Sequence, residues 1–104
     1  MRIEILTFPG CPNADVTHEL VRQAVELESV DATIEIINVE TPDLAEDLRF
    51  LGSPSVRVDR EDVELAANDR KAYGLMCRTY PNGSECLGRP PLEMIRAAIR
   101  RHST

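Results

Sequence analysis

The first forty residues set out a strand–helix–strand order that few folds can accommodate. Arg2 to Phe8 alternates with strand period, and Ile3, Ile5 and Leu6 put apolar side chains on both faces, as a strand inside a sheet requires. Asn13 to Glu28 follows helical spacing instead. Val16, Leu20, Val21, Ala24, Val25 and Leu27 fall on one side, with acidic and amide residues on the other. Thr33 to Val39 is rich in β-branched residues and reads as a second strand. Two strands joined by such a helix pair in parallel through a right-handed crossover. The chain is therefore expected to be α/β.

The remainder extends this unit. Thr41-Pro42-Asp43 supplies an N-cap, a first-turn proline and a first-turn acid for a short helix with Leu44 and Leu48 inward, closing near Gly52. Ser55–Val58 and Val63–Leu65 flank the polar tip Asp59-Arg60-Glu61-Asp62 and read as a hairpin. Pro90-Pro91 precedes a last helix with Leu92, Ile95, Ala98 and Ile99 on one face. Arg96, Arg100 and Arg101 lie outside or near its C-terminus, which suits the helix dipole. The expected order is β-α-β-α-β-β-α around a four-stranded mixed sheet, the hairpin antiparallel to the first two strands. Residues 66–89 follow no clear period, and segments that long inside a compact domain are usually functional or disordered. Their Tyr73, Leu75, Met76 and Leu87 are expected to bury at the sheet edge and at the Cys11 end.

A chain of 104 residues is one domain, residues 1–104, with the insert at 66–89, and can build its own core without metal or disulfide staples. The formal charge of −6 argues against nucleic acid and anionic membrane surfaces as partners. No apolar run approaches the ~18 residues needed to span a bilayer. The start of the sequence enters a strand pattern without signal-peptide features, so a cytoplasmic protein is expected. Three cysteines do not close a disulfide framework, and in a reducing compartment they are reactive, metal-binding or simply buried. No Trp and 4% aromatics give little support to stacking on bases or sugars.

Cys11 is the strongest candidate for a reactive atom. Thr7-Phe8-Pro9-Gly10-Cys11-Pro12-Asn13 ends a strand and opens a helix with Pro12 in its first turn, which puts the sulfur at the helix N-terminus. Unpaired N–H groups and the positive dipole end favour a thiolate there, as a nucleophile or metal ligand. The plainer reading is a packing cysteine. Cys77 and Cys86 lie in the insert, in Met76-Cys77-Arg78-Thr79-Tyr80-Pro81-Asn82-Gly83-Ser84-Glu85-Cys86. If Tyr80-Pro81-Asn82-Gly83 forms a four-residue turn, Cys77 faces Cys86. A tighter Asn82-Gly83 turn separates them, and the sequence leaves both registers open. The Arg78 charge would favour a thiolate at Cys77; as small hydrophobes, Cys77 and Cys86 would instead pack the insert onto the sheet.

Two segments give the chain a resemblance to the thioredoxin superfamily in its small glutaredoxin-like form. One is the strand–Cys11–helix junction. The other is Gly52-Ser53-Pro54-Ser55-Val56-Arg57-Val58-Asp59, which is similar to the Thr/Ser-Pro element leading into the family's third strand. The resemblance implies a three-layer thioredoxin-like α/β/α domain with a cis-proline at Pro54 lying against Cys11. It implies a Ser53 backbone free to hydrogen-bond an extended substrate, with Pro12, Ser53 and Pro54 as the substrate-facing surface. The implied activity is a thiol-based oxidoreductase acting on a thiol or disulfide, of glutathione or of a protein, without a cofactor.

Ala14 stands where the family's Cys-x-x-Cys carries its second thiol, the one that releases product from the mixed disulfide. Three options follow: a monothiol mechanism completed by glutathione, a resolving cysteine from elsewhere with Cys77 as candidate, or no redox role. The lone Cys-Pro-Asn, the Gly-Ser-Pro turn and the later Cys-Arg-x-Tyr are also similar to small thioredoxin-like proteins labelled by association with organomercurial lyases. Those lyases bind mercury with two cysteines and protonate its carbon with an aspartate, groups that Cys11, Cys77 and Asp15 would supply. The alternative function is therefore a non-enzymatic binder, of a soft metal ion such as mercury or of a partner protein through the Ser53-Pro54 groove. His18 lies about two helical turns from Cys11, roughly 10 Å, too far for a direct base. His102 is assigned no role, and Asp43, Glu46 and Asp47 read as solvated surface. No Gly-rich phosphate loop, Ser-His-Asp set or His-rich zinc spacing is present.

Overall fold

The apolar alternation of residues 2–7 becomes an inner strand of a mixed sheet. In the computed structural model, which describes residues 1–103, β1 (Arg2–Thr7) pairs in parallel with β2 (Thr33–Asn38). On its other side it pairs antiparallel with β3 (Ser55–Val58). β4 (Glu61–Asp62) completes the order β2-β1-β3-β4. Among the described residues three α-helices accompany this sheet: α1 (Ala14–Glu28), α2 (Pro42–Asp47) and α3 (Leu92–His102). Two short strands, β5 (Tyr80–Asn82) and β6 (Glu85–Leu87), form a separate hairpin. A four-stranded mixed sheet with helices is thus what the patterning builds.

Strand alternation decides which helix covers which face. Ile3 and Ile5 of β1 and Val56 and Val58 of β3 point to one side, where they meet Val21 and Ala24 of α1 and Ile95, Ala98 and Ile99 of α3. Leu6 points to the other side and packs with Val39, Ala45 and Phe50. All of these are essentially inaccessible to water, and each fully buried Val, Ile or Phe contributes roughly 1.5–3 kcal/mol. Thr41 caps α2 by accepting the Leu44 amide at 3.1 Å. Glu28 at the end of α1 accepts from Arg96 Nε at 2.7 Å and Arg100 Nε at 2.9 Å, tying α1 to α3.

Several sequence expectations are corrected here. The fourth strand is Glu61–Asp62 rather than Val63–Leu65, because Asp59 and Arg60 both adopt left-handed φ (+48° and +74°) and close the hairpin in two residues. Leu65–Asp69 then forms a 3-10 turn. Helix α1 begins at Ala14 with Asn13 at its N-cap, not at Pro12. Thr17, not Val16, is buried on its inner face, and Val16 is 37% exposed. The insert register, left open by the sequence, is set by a β5–β6 hairpin turning on Gly83-Ser84, with Gly83 at φ +65°, which puts Pro81 opposite Cys86 and separates Cys77 from it.

The Arg100 and Arg96 hydrogen bonds hold the Glu28 carboxyl below its ordinary value. A lowered folded pKa stabilises above the unfolded pKa, about 4.3 for Glu, and the contribution is lost as pH falls through the folded value. Glu28→Gln should therefore flatten the acid limb of the stability–pH curve below about pH 4.3, as read by urea midpoints across that range. An unchanged acid limb would remove Glu28 from the account.

Candidate thiol site and the buried arginine beneath it

The chain leaves β1 at Thr7 and turns through Pro9-Gly10, with Gly10 at φ +84°, to reach Cys11. The Cys11 amide donates to the Phe8 carbonyl at 3.3 Å, and its own carbonyl accepts from Ala14 at 3.3 Å. Cys11 therefore belongs to a turn that feeds α1 and sits two residues before the N-cap, half-exposed. The Phe8 amide in turn donates to Ser53 Oγ at 3.3 Å. This links the Cys11 turn to the loop leading into β3, where the Ser53–Pro54 peptide bond is cis and both residues are buried.

The backbone of Ser53 is already engaged. Its amide donates to the Met76 carbonyl at 2.8 Å and its carbonyl accepts from the Arg78 amide at 3.0 Å. These two bonds make a parallel bridge between Ser53 and Cys77. The insert thus lays residues 76–78 along the loop next to the Cys11 turn, leaving Cys77 exposed. Its far end reaches the start of α1, where Gly88 lies against Asn13 so closely that an added Cβ would come within 2.7 Å of Asn13 Nδ2. Cys86 is exposed on β6. Pro12 is exposed and His18 half-exposed.

The residues that hold the insert down are not the ones its hydropathy suggests. Leu75 and Met76 are 39% and 38% exposed, whereas Tyr80 is fully buried and Arg78 nearly so. Arg78 donates to Asp62 Oδ2 at 2.8 Å and Oδ1 at 2.9 Å, to Glu64 Oε1 at 3.1 Å and to Ser55 Oγ at 3.0 Å. Its guanidinium carbon lies 4.3 Å from the centre of the Tyr80 ring. Burial opposes its charge, but the Asp62 hydrogen bond, the Tyr80 interaction and Glu64 outweigh this and raise its pKa. This charge is matched by carboxylates on the sheet side, so Arg78 is committed to the interior rather than to Cys77.

The signal for this network was present in Asp62-Val63-Glu64, since an i, i+2 pair of carboxylates in extended chain shares one face. Placing Asp62 in the hairpin tip and Glu64 in the following strand separates the two and conceals it.

Tyr80 donates its hydroxyl to the Pro54 carbonyl at 2.6 Å. Burial is the main cause raising its pKa above the usual 10. A raised folded pKa stabilises below the unfolded value, and that contribution is lost as pH climbs through the folded one. The protein should therefore lose stability above about pH 10. Tyr80→Phe should remove this alkaline loss and cost about 1–2 kcal/mol at pH 7, because the Pro54 carbonyl is left unpaired. An alkaline limb identical in both proteins would contradict the assignment.

Among the described residues no three His, Cys, Asp or Glu side chains gather into a metal-sized cluster. Among these residues no helix is long and apolar enough to cross a membrane. Comparison with protein-family models, curated proteins and solved structures returns no match.

Proposed function

We propose that the protein is a thioredoxin-like thiol oxidoreductase in which Cys11 is the nucleophile and Cys77 replaces the resolving thiol that Ala14 lacks. The observation that carries this reading is the Ser53–Cys77 bridge. In the family the chain resembles, an extended substrate takes the two backbone bonds of the residue before the proline. Here residues 76–78 take them, so the chain presents its own Cys77 where a substrate would present its sulfur. Ser53 and Pro54 then serve to orient Cys77. Pro12, exposed beside Cys11, meets the external disulfide.

The Cys11 thiolate attacks one sulfur of a disulfide. The substrate S–S bond breaks, one substrate thiolate leaves and takes a proton from water, and a Cys11–substrate mixed disulfide forms. The Cys77 thiolate then attacks the Cys11 sulfur and releases the second substrate thiol, leaving a Cys11–Cys77 disulfide. Two electrons have passed to the substrate, and two equivalents of a small thiol such as glutathione restore both cysteines.

Mild oxidation followed by peptide mapping tests this. A Cys11–Cys77 crosslink is expected, together with glutathione-coupled disulfide reduction that disappears in Cys11→Ser, slows in Cys77→Ser and persists in Cys86→Ser. Exclusive Cys77–Cys86 pairing, or full turnover in Cys11→Ser, would refute it. Ala14 favours a second reading, a soft-metal binder through the same two thiolates. With no third ligand clustered nearby among the described residues, that site would be two-coordinate. It predicts no turnover but mercury uptake at one ion per chain, lost in either cysteine variant.

A further inference from the structure

A cavity of about 150 Å³ opens beside β3, lined by Arg49, Arg57, Arg60, Arg70 and Tyr73, with Asp62 as its acidic residue. None of Cys11, Ser53, Pro54 and Cys77 lines it, so this cavity is distinct from the thiol site. The volume corresponds to about five waters at ~30 Å³ each, enough for a tetrahedral oxyanion.

The gathering of positive charge here is unusual for a chain of net charge −6, and the local acids do not neutralise it. Asp62 is committed to Arg78 through both carboxylate oxygens. Glu64 divides its oxygens between Arg78 and Arg70, each at 3.1 Å. Arg57 donates Nη2 to the carbonyls of Leu48 and Arg49 at 2.7 and 2.8 Å. Burial lowers its pKa, with Glu4 and Asp62 opposing. Arg49 and Arg60 make no ion pair among the described residues. Both also hold left-handed φ angles, +54° and +74°, a conformation in which Gly or Asn is more at ease.

We infer that this cavity binds a phosphate dianion, free or carried on a small organic molecule, through the guanidiniums of Arg49, Arg57 and Arg60, with Tyr73 as a wall for any organic portion. Planar guanidiniums match tetrahedral oxyanions in paired hydrogen bonds, and the half-buried Arg57 supplies a positive charge without a carboxylate of its own.

Calorimetry with inorganic phosphate and with phenyl phosphate, at low ionic strength, tests the inference. Arg49→Asn and Arg60→Asn keep residues that tolerate a left-handed backbone, so the fold should persist. Each should weaken phosphate binding about tenfold or more, as loss of a charged hydrogen bond implies. Arg22→Asn on α1 should leave it unchanged. Tighter binding of phenyl phosphate, abolished by Tyr73→Ala, identifies an organic phosphate as the ligand class. Equal affinity for both probes identifies the free ion. Absence of phosphate binding at millimolar concentration, or equal weakening in Arg22→Asn, overturns the inference.

Discussion

Arg78→Ala should lower the unfolding free energy by about 3–5 kcal/mol, the usual cost of removing one partner from a buried ion pair. The effect is large because Asp62 loses its counter-charge and Glu64 keeps only Arg70. The Asp62 and Glu64 side chains are only 5% and 9% exposed, so water replaces the lost guanidinium poorly. The Tyr80 ring also loses the cation stacked on it. Urea titration at pH 7 measures the loss. Adding Asp62→Asn and Glu64→Gln to Arg78→Ala should recover part of it, because neutral amides are cheaper to bury than unpaired carboxylates. A loss below 1 kcal/mol would mean that Arg78 is not held in the interior as described.

Gly52→Ala should be nearly as damaging and should act on the thiol site as well. Gly52 sits at φ +115°, outside the regions open to residues with a Cβ. A methyl there would lie 3.0 Å from Arg78 Cβ and 3.1 Å from the Met76 carbonyl oxygen. Backbone strain alone costs about 1–3 kcal/mol, and the steric conflict falls on the segment that pairs with Ser53. The variant should therefore lose stability and also form the Cys11–Cys77 crosslink more slowly upon oxidation, the second readout resting on the proposed pairing of those thiols. Thermal unfolding and quantitative peptide mapping on the same sample separate the two effects. Wild-type stability would show that the loop and the insert are not in close contact.

What the sequence made legible follows from periodicity. Ile3, Ile5 and Leu6 on a short strand, Val21 and Ala24 on a helix, and Ile95, Ala98 and Ile99 on another needed only a 2.0 or 3.6 repeat to be placed. The insert was illegible because its anchors are polar or amphipathic. Arg78 and Tyr80 are buried through hydrogen bonds and stacking, whereas Leu75 and Met76, which hydropathy would select, stay exposed. The β5–β6 register depended on which residue took the left-handed position, and both Asn82 and Gly83 were competent to do so. At the candidate site, Cys11 could be found from the strand-to-helix junction. The Ser53–Cys77 bridge could not, since it joins segments far apart in sequence and uses backbone groups that every residue possesses. The arginine cavity was invisible for a similar reason: Arg49, Arg57, Arg60 and Arg70 come from separate turns and strands and share no motif.

The packing of α3 against α1 also governs when the larger of the two cores can be completed. The cluster that contains Ile3 and Ile5 is closed by Ile95, Ala98 and Ile99, which are made only after the whole sheet and the insert. During translation the face of β1 and β3 that carries Ile3, Val56 and Val58 has only α1 as cover until the eleven-residue α3 has been made. At ~5–20 residues per second this face stays half-covered for seconds after β3 has been made. That interval is long compared with hydrophobic collapse, which takes microseconds, so the chain spends it partly collapsed with the α3 side of its sheet open, and the synthesis of α3 is the step that completes the core.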